Sequence, residues 1–111
     1  MEECIFCKII RREIPATIVY ESADALAFDD VNPMAPVHVV VVPKTHVATL
    51  MDVKGGIMDC LMTAVQEVAK IRGVAAKGFR TVINCNEEGG QVIFHLHIHV
   101  LGGRKLSDDM G

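Results

Sequence analysis

Three of the five histidines fall in one hexapeptide, His95-Leu96-His97-Ile98-His99-Val100. Side chains alternate between the two faces of a strand, so this pattern predicts a row of three imidazoles on one face and apolar anchors on the other. Neighbouring rings in such a row lie about 6.6 Å apart, and two protonated rings would repel by roughly 2–3 kcal/mol at an effective dielectric constant near 20. The row therefore favours a neutral His97 with a free lone pair, which is either a nucleophile or a metal ligand.

Glycine placement favours a nucleophile that attacks an anionic phosphoryl group. Gly89-Gly90 precede the histidines and Gly102-Gly103 follow them, and bare backbone amides near a nucleophile suit phosphate oxygens. Most Gly-Gly pairs are only turns, so the doublets are weak signals by themselves. Asn84 is either a further phosphate donor or a turn residue. The simpler alternative for the whole motif is an amphipathic strand whose exposed face happens to carry histidine, although strand propensity does not favour histidine there.

The cysteines indicate a second candidate site. Four cysteines, unevenly spaced, do not make a disulfide scaffold. The Cys4-x-x-Cys7 pair supplies two soft ligands, and His46 and His95 are the candidates that would complete the four ligands of a closed zinc site. Unligated thiols are the alternative, and a redox pair is disfavoured because no βαβ pattern surrounds the motif. His38 lies in a buried strand and is expected to be a hydrogen-bonded core histidine without a catalytic role.

The elements that position these residues follow from hydrophobic periodicity. The pattern predicts a short helix within residues 4–12, a long helix over about 55–72 that ends at Gly73, and strands over 16–21, 25–29, 37–43, 79–84 and 92–101. A hairpin-type turn at 87–90 would join the last two strands. Together these elements predict an α+β fold: an antiparallel meander of about five strands with one long and one short helix, in a single domain over residues 1–111.

Composition excludes several classes of protein. Of the 111 residues, 50% are apolar, 23% are charged and 5% are aromatic, with a net charge of −3. These values argue against a disordered chain and against a nucleic-acid partner, which would require a basic face. The longest apolar run, residues 39–43, is far shorter than the ~20 residues of a membrane span. The N-terminus lacks the pattern of a secretory signal. We therefore expect no membrane partner and a cytoplasmic location.

The segment from Gly89 to Arg104, GGQVIFHLHIHVLGGR, resembles the signature of the histidine triad (HIT) family. The leading GGQ and the trailing HVLGGR resemble the Hint branch, the histidine triad nucleotide-binding proteins. The resemblance extends over nearly the whole chain, because Ile5–Ile10, Glu13–Pro15, Ala27–Asp30, Pro36–His38 and Pro43–His46 fall in the expected order. It implies the HIT-like fold and a homodimer in which two antiparallel sheets join.

The resemblance also implies a reaction. His97 would attack the α-phosphorus of a purine nucleoside phosphoramidate of the AMP-lysine type, and water would release the nucleoside monophosphate from the resulting nucleotidyl-histidine. His99 would contact the phosphate and protonate the leaving group. The other nucleotide-binding positions it implies are Asp30 at the ribose, Asn84, Gly90, Gln91 and Val92 at the phosphate, and Ile5, Phe6, Ile9, Phe28 and Val31 around the base. Any of these apolar residues is equally explained as plain core.

The resemblance also raises the questions of Val92 and of a structural metal, and it leaves two alternative functions open. Val92 stands where some relatives carry a serine, so it offers the phosphate only its backbone N–H. Some relatives share the cysteine pair and bind structural Zn²⁺ through the positions of Cys4, Cys7, His46 and His95, while others lack the cysteines, so zinc is not required for the chemistry. The alternatives are a dinucleoside polyphosphate hydrolase or nucleotidyl transferase of a sister branch, and a nucleotide-binding regulatory module with negligible turnover.

Overall fold

The computed structural model describes residues 4–111. In chain order the elements are helix α1 (Ile5–Ile10), strands β1 (Ile18–Glu21), β2 (Ala25–Asp29) and β3 (Val37–Pro43), helix α2 (Ile57–Ile71), and strands β4 (Phe79–Val82) and β5 (Ile98–Gly102). Short 3-10 turns lie at Leu50–Asp52 and Glu87–Gly89. The five strands form one antiparallel sheet in the order β1-β2-β3-β5-β4. The predicted α+β class is confirmed, and β5 inserts between β3 and β4.

The sheet separates two apolar layers. On one face, the buried side of α2 packs against Val39 and Val41 of β3 and against Ile98 and Val100 of β5. On the other face, α1 packs against β2 and β3, with Val40 and Val42 pointing toward it. Because β3 is apolar on both faces, it can lie in the interior of the molecule, as its run of valines predicts.

The main correction concerns the strand predicted over residues 92–101, which begins only at Ile98. The preceding residues leave the sheet because other groups take their hydrogen bonds. The Leu96 N–H donates to the Val47 carbonyl oxygen at 2.6 Å, and the Gln91 side chain donates to the Ala48 and Ile93 carbonyl oxygens. Strands β4 and β5 pair antiparallel as predicted, and a turn followed by Gly90 at φ +82 lies at Glu87–Gly89, but this turn is part of a long connection over residues 83–97 and does not close a tight hairpin.

Other boundaries differ by a few residues. Strand β1 begins at Ile18 instead of residue 16, β4 ends at Val82 instead of residue 84, and α2 begins at Ile57 instead of residue 55. Gly73, with φ +72, follows the end of α2 as predicted. Within residues 4–111, the structure has no helix with both the length and the apolar character needed to cross a membrane.

Candidate active site

His97 is held in one tautomer by the backbone carbonyl of His95. Its Nδ1 lies 2.7 Å from the carbonyl oxygen of His95. A carbonyl only accepts, so Nδ1 carries the proton and the neutral ring has its lone pair on Nε2. His97 is largely buried, and its Nε2 makes no hydrogen bond within residues 4–111. In this part of the chain, every side-chain nitrogen or oxygen that is completely shielded from solvent has a hydrogen-bond partner, so Nε2 is not completely shielded. The Nε2 lone pair therefore keeps a path to solvent.

A chain of hydrogen bonds fixes the tautomer of His99 as well. The Met34 N–H donates to His38 Nδ1 at 3.0 Å, which places the His38 proton on Nε2. That Nε2 donates to His99 Nδ1 at 2.9 Å and lies 3.4 Å from Asp30 Oδ2. The His99 proton then sits on Nε2, the nitrogen that does not face His38. His38 is a hydrogen-bonded core histidine as predicted, but its partner is a member of the triad.

Burial keeps these imidazoles neutral, and at His99 the repulsion from neighbouring histidines adds to this effect. The rings of His97 and His99 are 4.9 Å apart between centroids, closer than the spacing expected along a regular strand. Burial, together with the neighbouring His97 and His38, lowers the pKa of His99 to about 4. Burial also lowers the pKa of His97, against the opposing effect of its hydrogen bond to the His95 carbonyl. It lowers the pKa of His38 too, against the attraction of Asp30. At neutral pH the site thus presents a neutral lone pair on His97 beside an N–H donor on His99.

The loop before the histidines is braced internally at the predicted phosphate positions. Asn84 donates its side-chain amide to the Gly89 carbonyl oxygen at 2.7 Å, and the Gly90 N–H donates to the Glu87 carbonyl. Gln91 is buried and its side-chain oxygen accepts from the Asn86 N–H, while its own N–H donates to the Asn86 carbonyl. Val92 is 87% exposed. Asn84 and Gln91 therefore shape this loop, and Val92 stands at its surface.

The apolar positions predicted around the base divide into two groups. Phe6 meets the His97 ring edge-on at 5.0 Å and the Phe28 ring at 5.5 Å, and both phenylalanines are buried together with Ile9. These three residues form the floor beneath the histidines. Ile5 is 43% exposed and Val31 is 88% exposed, so these two are accessible to a ligand.

A cleft opens beside Asp30. Its volume is about 400 Å³, and its lining residues are Pro15, Ala16, Thr17, Asp29, Asp30 and Val31. This volume is within the range of about 300–1,000 Å³ that small-molecule sites occupy. The Asp30 carboxylate also accepts from the Asn32 N–H at 2.8 Å, which fixes its orientation at the edge of the cleft. Asp30 links this cleft to the histidines, because its carboxylate lines the cleft and its Oδ2 lies 3.4 Å from His38 Nε2.

The comparison with known families decides the relationship. The protein-family model described as "HIT domain" matches residues 11–106 of this chain.

The chain belongs to the HIT family.

It is 43% identical over 108 residues to the purine nucleoside phosphoramidase of Escherichia coli (strain K12), covering 95% of this chain and 91% of that one. Among solved structures, it is similar to a HIT family hydrolase from Legionella pneumophila Philadelphia 1, with 40% identity, a TM-score of 0.94, and coverage of 98% and 100% of the two chains. It is equally similar to a histidine triad protein from Clostridium difficile, with 43% identity, a TM-score of 0.94, and coverage of 99% and 98%. The family and these relatives support a hydrolase.

This HIT domain also has a four-residue cluster that could hold a metal ion. The structure brings together Cys4, Cys7, His46 and His95, as predicted, with one ligand atom of each within 4.8 Å of all the others. Sulfur-to-nitrogen distances are 3.3 Å from Cys4 to His95 Nδ1, 3.3 Å from Cys7 to His46 Nδ1 and 3.5 Å from Cys7 to His95 Nδ1. In a tetrahedral zinc site, sulfur and nitrogen ligands lie about 3.5 Å apart.

The protonation of His95 fits the same cluster. Its Nε2 donates to the Pro43 carbonyl oxygen at 2.8 Å, so the lone pair is on Nδ1, the atom that faces the two sulfurs. Metal-binding histidines commonly donate their other ring N–H to such an acceptor. Burial and the neighbouring Cys4 raise the pKa of the Cys7 thiol, which keeps it protonated until a cation replaces the proton.

A second group, Asp30, His38 and His99, also brings possible ligand atoms close together, but it is not suited to bind a metal ion. The Met34 N–H occupies the lone pair of His38 Nδ1, so the remaining nitrogen of the neutral ring carries a proton and is not a ligand. The 2.9 Å contact between His38 and His99 is a hydrogen bond. This group is therefore part of the hydrogen-bonded candidate active site.

Proposed function

We propose that this protein is a purine nucleoside phosphoramidase that hydrolyses the P–N bond of AMP-amides of the AMP-lysine type. The observation that carries the proposal is the hydrogen bond from His97 Nδ1 to the His95 carbonyl, which leaves Nε2 as the accessible lone pair of a neutral imidazole. The similarity to the E. coli enzyme of that name supports the substrate class. A nucleoside monophosphate and a free amine are the products.

In the first step, His97 Nε2 attacks the α-phosphorus and the P–N bond to the amine breaks. The phosphorylated ring becomes cationic, and the His95 carbonyl stabilises it through Nδ1–H. The departing nitrogen needs one proton. We assign it to the His38–His99 pair beside Asp30, which takes up one proton from solvent when the anionic phosphoryl group binds. In that state both His99 ring nitrogens carry a proton, the His38 proton moves from Nε2 to Nδ1 in place of the Met34 N–H bond, and His38 Nε2 accepts from His99 Nδ1. His99 then delivers its Nε2 proton to the departing nitrogen.

In the second step, His99 Nε2 accepts a proton from water as the water oxygen attacks phosphorus. The bond between phosphorus and His97 Nε2 then breaks, and the nucleoside monophosphate leaves. Val92 is 87% exposed, and we assign its backbone N–H to a phosphate oxygen because the Gln91 N–H is already donated to the Asn86 carbonyl. Asp30 is proposed to hold the ribose hydroxyls at the edge of the 400 Å³ cleft, with Ile5 and Val31 near the base.

The test compares AMP-alkylamides with dinucleoside polyphosphates in steady-state assays. We expect faster turnover of the alkylamide, and a loss of at least about a thousandfold in His97→Gln with AMP affinity retained. The matched control is Met51→Gln, on an exposed residue of the 3-10 turn at Leu50–Asp52. Faster cleavage of polyphosphates would favour the sister-branch alternative. Tight AMP binding without turnover of either substrate would favour the regulatory module.

We also infer that the Cys4–Cys7–His46–His95 cluster holds a structural Zn²⁺. When bound, the ion would tie α1 to the segments that follow β3 and precede β5. Metal analysis of the purified protein should give about one zinc per chain, and Cys4→Ala should lose it. Cys60→Ala is the matched control, because Cys60 donates to the Ile57 carbonyl in α2 and lies outside the cluster. Equal zinc content in both variants would contradict the assignment.

A homodimer is proposed from the family resemblance and from two features of the surface. Strand β4 is at the edge of the sheet, and helix α2 exposes Met62 (40%) and Ile71 (54%). Sedimentation equilibrium should give twice the chain mass, and Met62→Glu should shift the equilibrium toward monomer. Met51→Glu, on a more exposed methionine outside α2, should leave the dimer intact. A monomeric wild-type protein would refute this part of the proposal.

A further inference from the structure

His95 belongs to both sites at once. Its side chain is fully buried, with Nδ1 3.3 Å from Cys4 Sγ and 3.5 Å from Cys7 Sγ. Its carbonyl oxygen accepts the Nδ1 proton of His97 at 2.7 Å. One residue therefore contacts the four-residue cluster through its side chain and the proposed nucleophile through its backbone.

The position of that carbonyl is not set by the sheet. Strand β5 begins at Ile98, so the peptide of His95 lies outside the ladder that fixes β5 against β3 and β4. On the Leu96 side this peptide is held by the N–H bond to Val47 and by the buried Leu96 side chain, and on the His95 side by the contacts of the two ring nitrogens. Because one ring nitrogen is bonded to the Pro43 carbonyl and the other faces the cluster, the ring orientation depends on both.

We propose that the Cys4–Cys7–His46–His95 cluster sets the orientation of the nucleophile, with His95 as the positioning residue. This rests on the proposed function of His97. Loss of the cluster contacts frees one side of the His95 ring, which lets its carbonyl move and releases the Nδ1 proton of His97. The Nε2 lone pair is then no longer aimed in one direction, and a nucleophile displaced by about 1 Å loses on the order of a hundredfold in rate.

A purely structural role of the cluster gives a different result. Helix α1 carries Cys7 and Phe6, Cys4 caps its N-terminus, and the Phe6 ring contacts the rings of His95 and His97 at 5.9 and 5.0 Å. If the cluster only anchored α1, its loss would loosen the floor beneath the histidines and weaken nucleotide binding. Under our proposal, binding is retained and the chemical step slows. The split between kcat and AMP affinity therefore separates the two roles.

The experiment uses the full chain with Cys7→Ala, and Cys60→Ala as the matched control. Long-range ¹H–¹⁵N NMR of the histidine rings reads the His97 tautomer independently of activity. We expect wild type and Cys60→Ala to show one Nδ1–H tautomer for His97, and Cys7→Ala to show a mixture of tautomers. In steady state, Cys7→Ala should lower kcat by about ten- to hundredfold, with AMP affinity within about twofold of wild type.

Unchanged His97 ring signals and unchanged kcat in Cys7→Ala would overturn the proposal, as would an equal loss of AMP affinity and kcat. If Cys7→Ala does not fold, treatment of the wild-type protein with a zinc chelator is the second perturbation, and added Zn²⁺ should restore the single tautomer. An absence of turnover in wild type would refute the proposed function instead. The ring signals would still decide whether the cluster orients His97.

Discussion

Replacing His38 by phenylalanine should slow the reaction selectively for substrates with poor leaving groups. His38 Nε2 donates to His99 Nδ1 at 2.9 Å, and this bond keeps the His99 proton on the nitrogen that faces away from His38. A phenylalanine ring fills the same buried space but donates nothing. The His99 ring then populates both tautomers, and the proton of the pair is no longer shared beside Asp30.

The magnitude follows from the strength of that bond. A net contribution of about 0.5–1.5 kcal/mol per neutral hydrogen bond corresponds to roughly two- to twelvefold in rate. Loss of the general acid itself, in His99→Gln, should cost about a hundredfold or more. We therefore expect His38→Phe to lower kcat for an AMP-alkylamide by up to about tenfold. His38→Gln, whose side-chain amide can place a donor near the same point, should recover most of that loss.

The assay compares an AMP-alkylamide with adenosine 5′-O-(p-nitrophenyl) phosphate, whose leaving group departs without a proton. His38→Phe should lose activity toward the first and less than about twofold toward the second. AMP affinity and the urea midpoint are measured alongside, because the Met34 N–H also loses its acceptor. Equal losses on both substrates, or no loss on either, would refute the proton-delivery role of the pair.

The unfolding free energy should fall as the pH is lowered from about 6.5 to 4. His99 has a folded-state pKa of about 4, below its ordinary value, so the unfolded chain binds the proton first as the pH falls. Roughly 3 kcal/mol of the unfolding free energy is lost across this window. An unfolding free energy from urea titrations that stays constant over this range would contradict the lowered pKa of His99. Gly103→Ala should destabilise the fold by about 1–3 kcal/mol, because φ is +91 and the new Cβ would lie 2.9 Å from the Pro36 Cβ. Gly56→Ala, in open space at negative φ, is the control, and an equal urea midpoint in the two variants would show that Gly103 is not constrained.

Hydrophobic periodicity alone predicts the elements whose burial is visible in the local sequence. The valine run at 39–42 predicts a strand buried on both faces, and its residues are at most 2% exposed. The segment before β5 was predicted less well. Alternation places Leu96 on the α2 side with Ile98, as observed, but the ladder ends at Ile98. The competing bond from Leu96 to Val47 is a tertiary contact that local sequence does not reveal.

In the candidate sites too, some contacts follow from the local sequence and others only from the folded sheet. The chemistry of the Cys-x-x-Cys pair limits its partners to a few histidines, and the structure does bring His46 and His95 to it. The contact between His38 and His99 was missed because it depends on strand register. Val40 pairs with His99 across β3 and β5, which puts His38 diagonally next to His99 on the same face. Alternation along β3 gives the face, but the register comes only from the folded sheet.

The central claim is that His97 Nε2 forms a covalent bond to phosphorus. It is tested most directly by mixing the protein with an AMP-alkylamide, quenching within one turnover, and measuring the intact mass followed by peptide mapping. The account predicts one nucleoside monophosphoryl group per chain, attached to His97 and absent from His97→Gln. Turnover of the substrate with an unmodified chain at every quench time, or modification of a different residue, would contradict it.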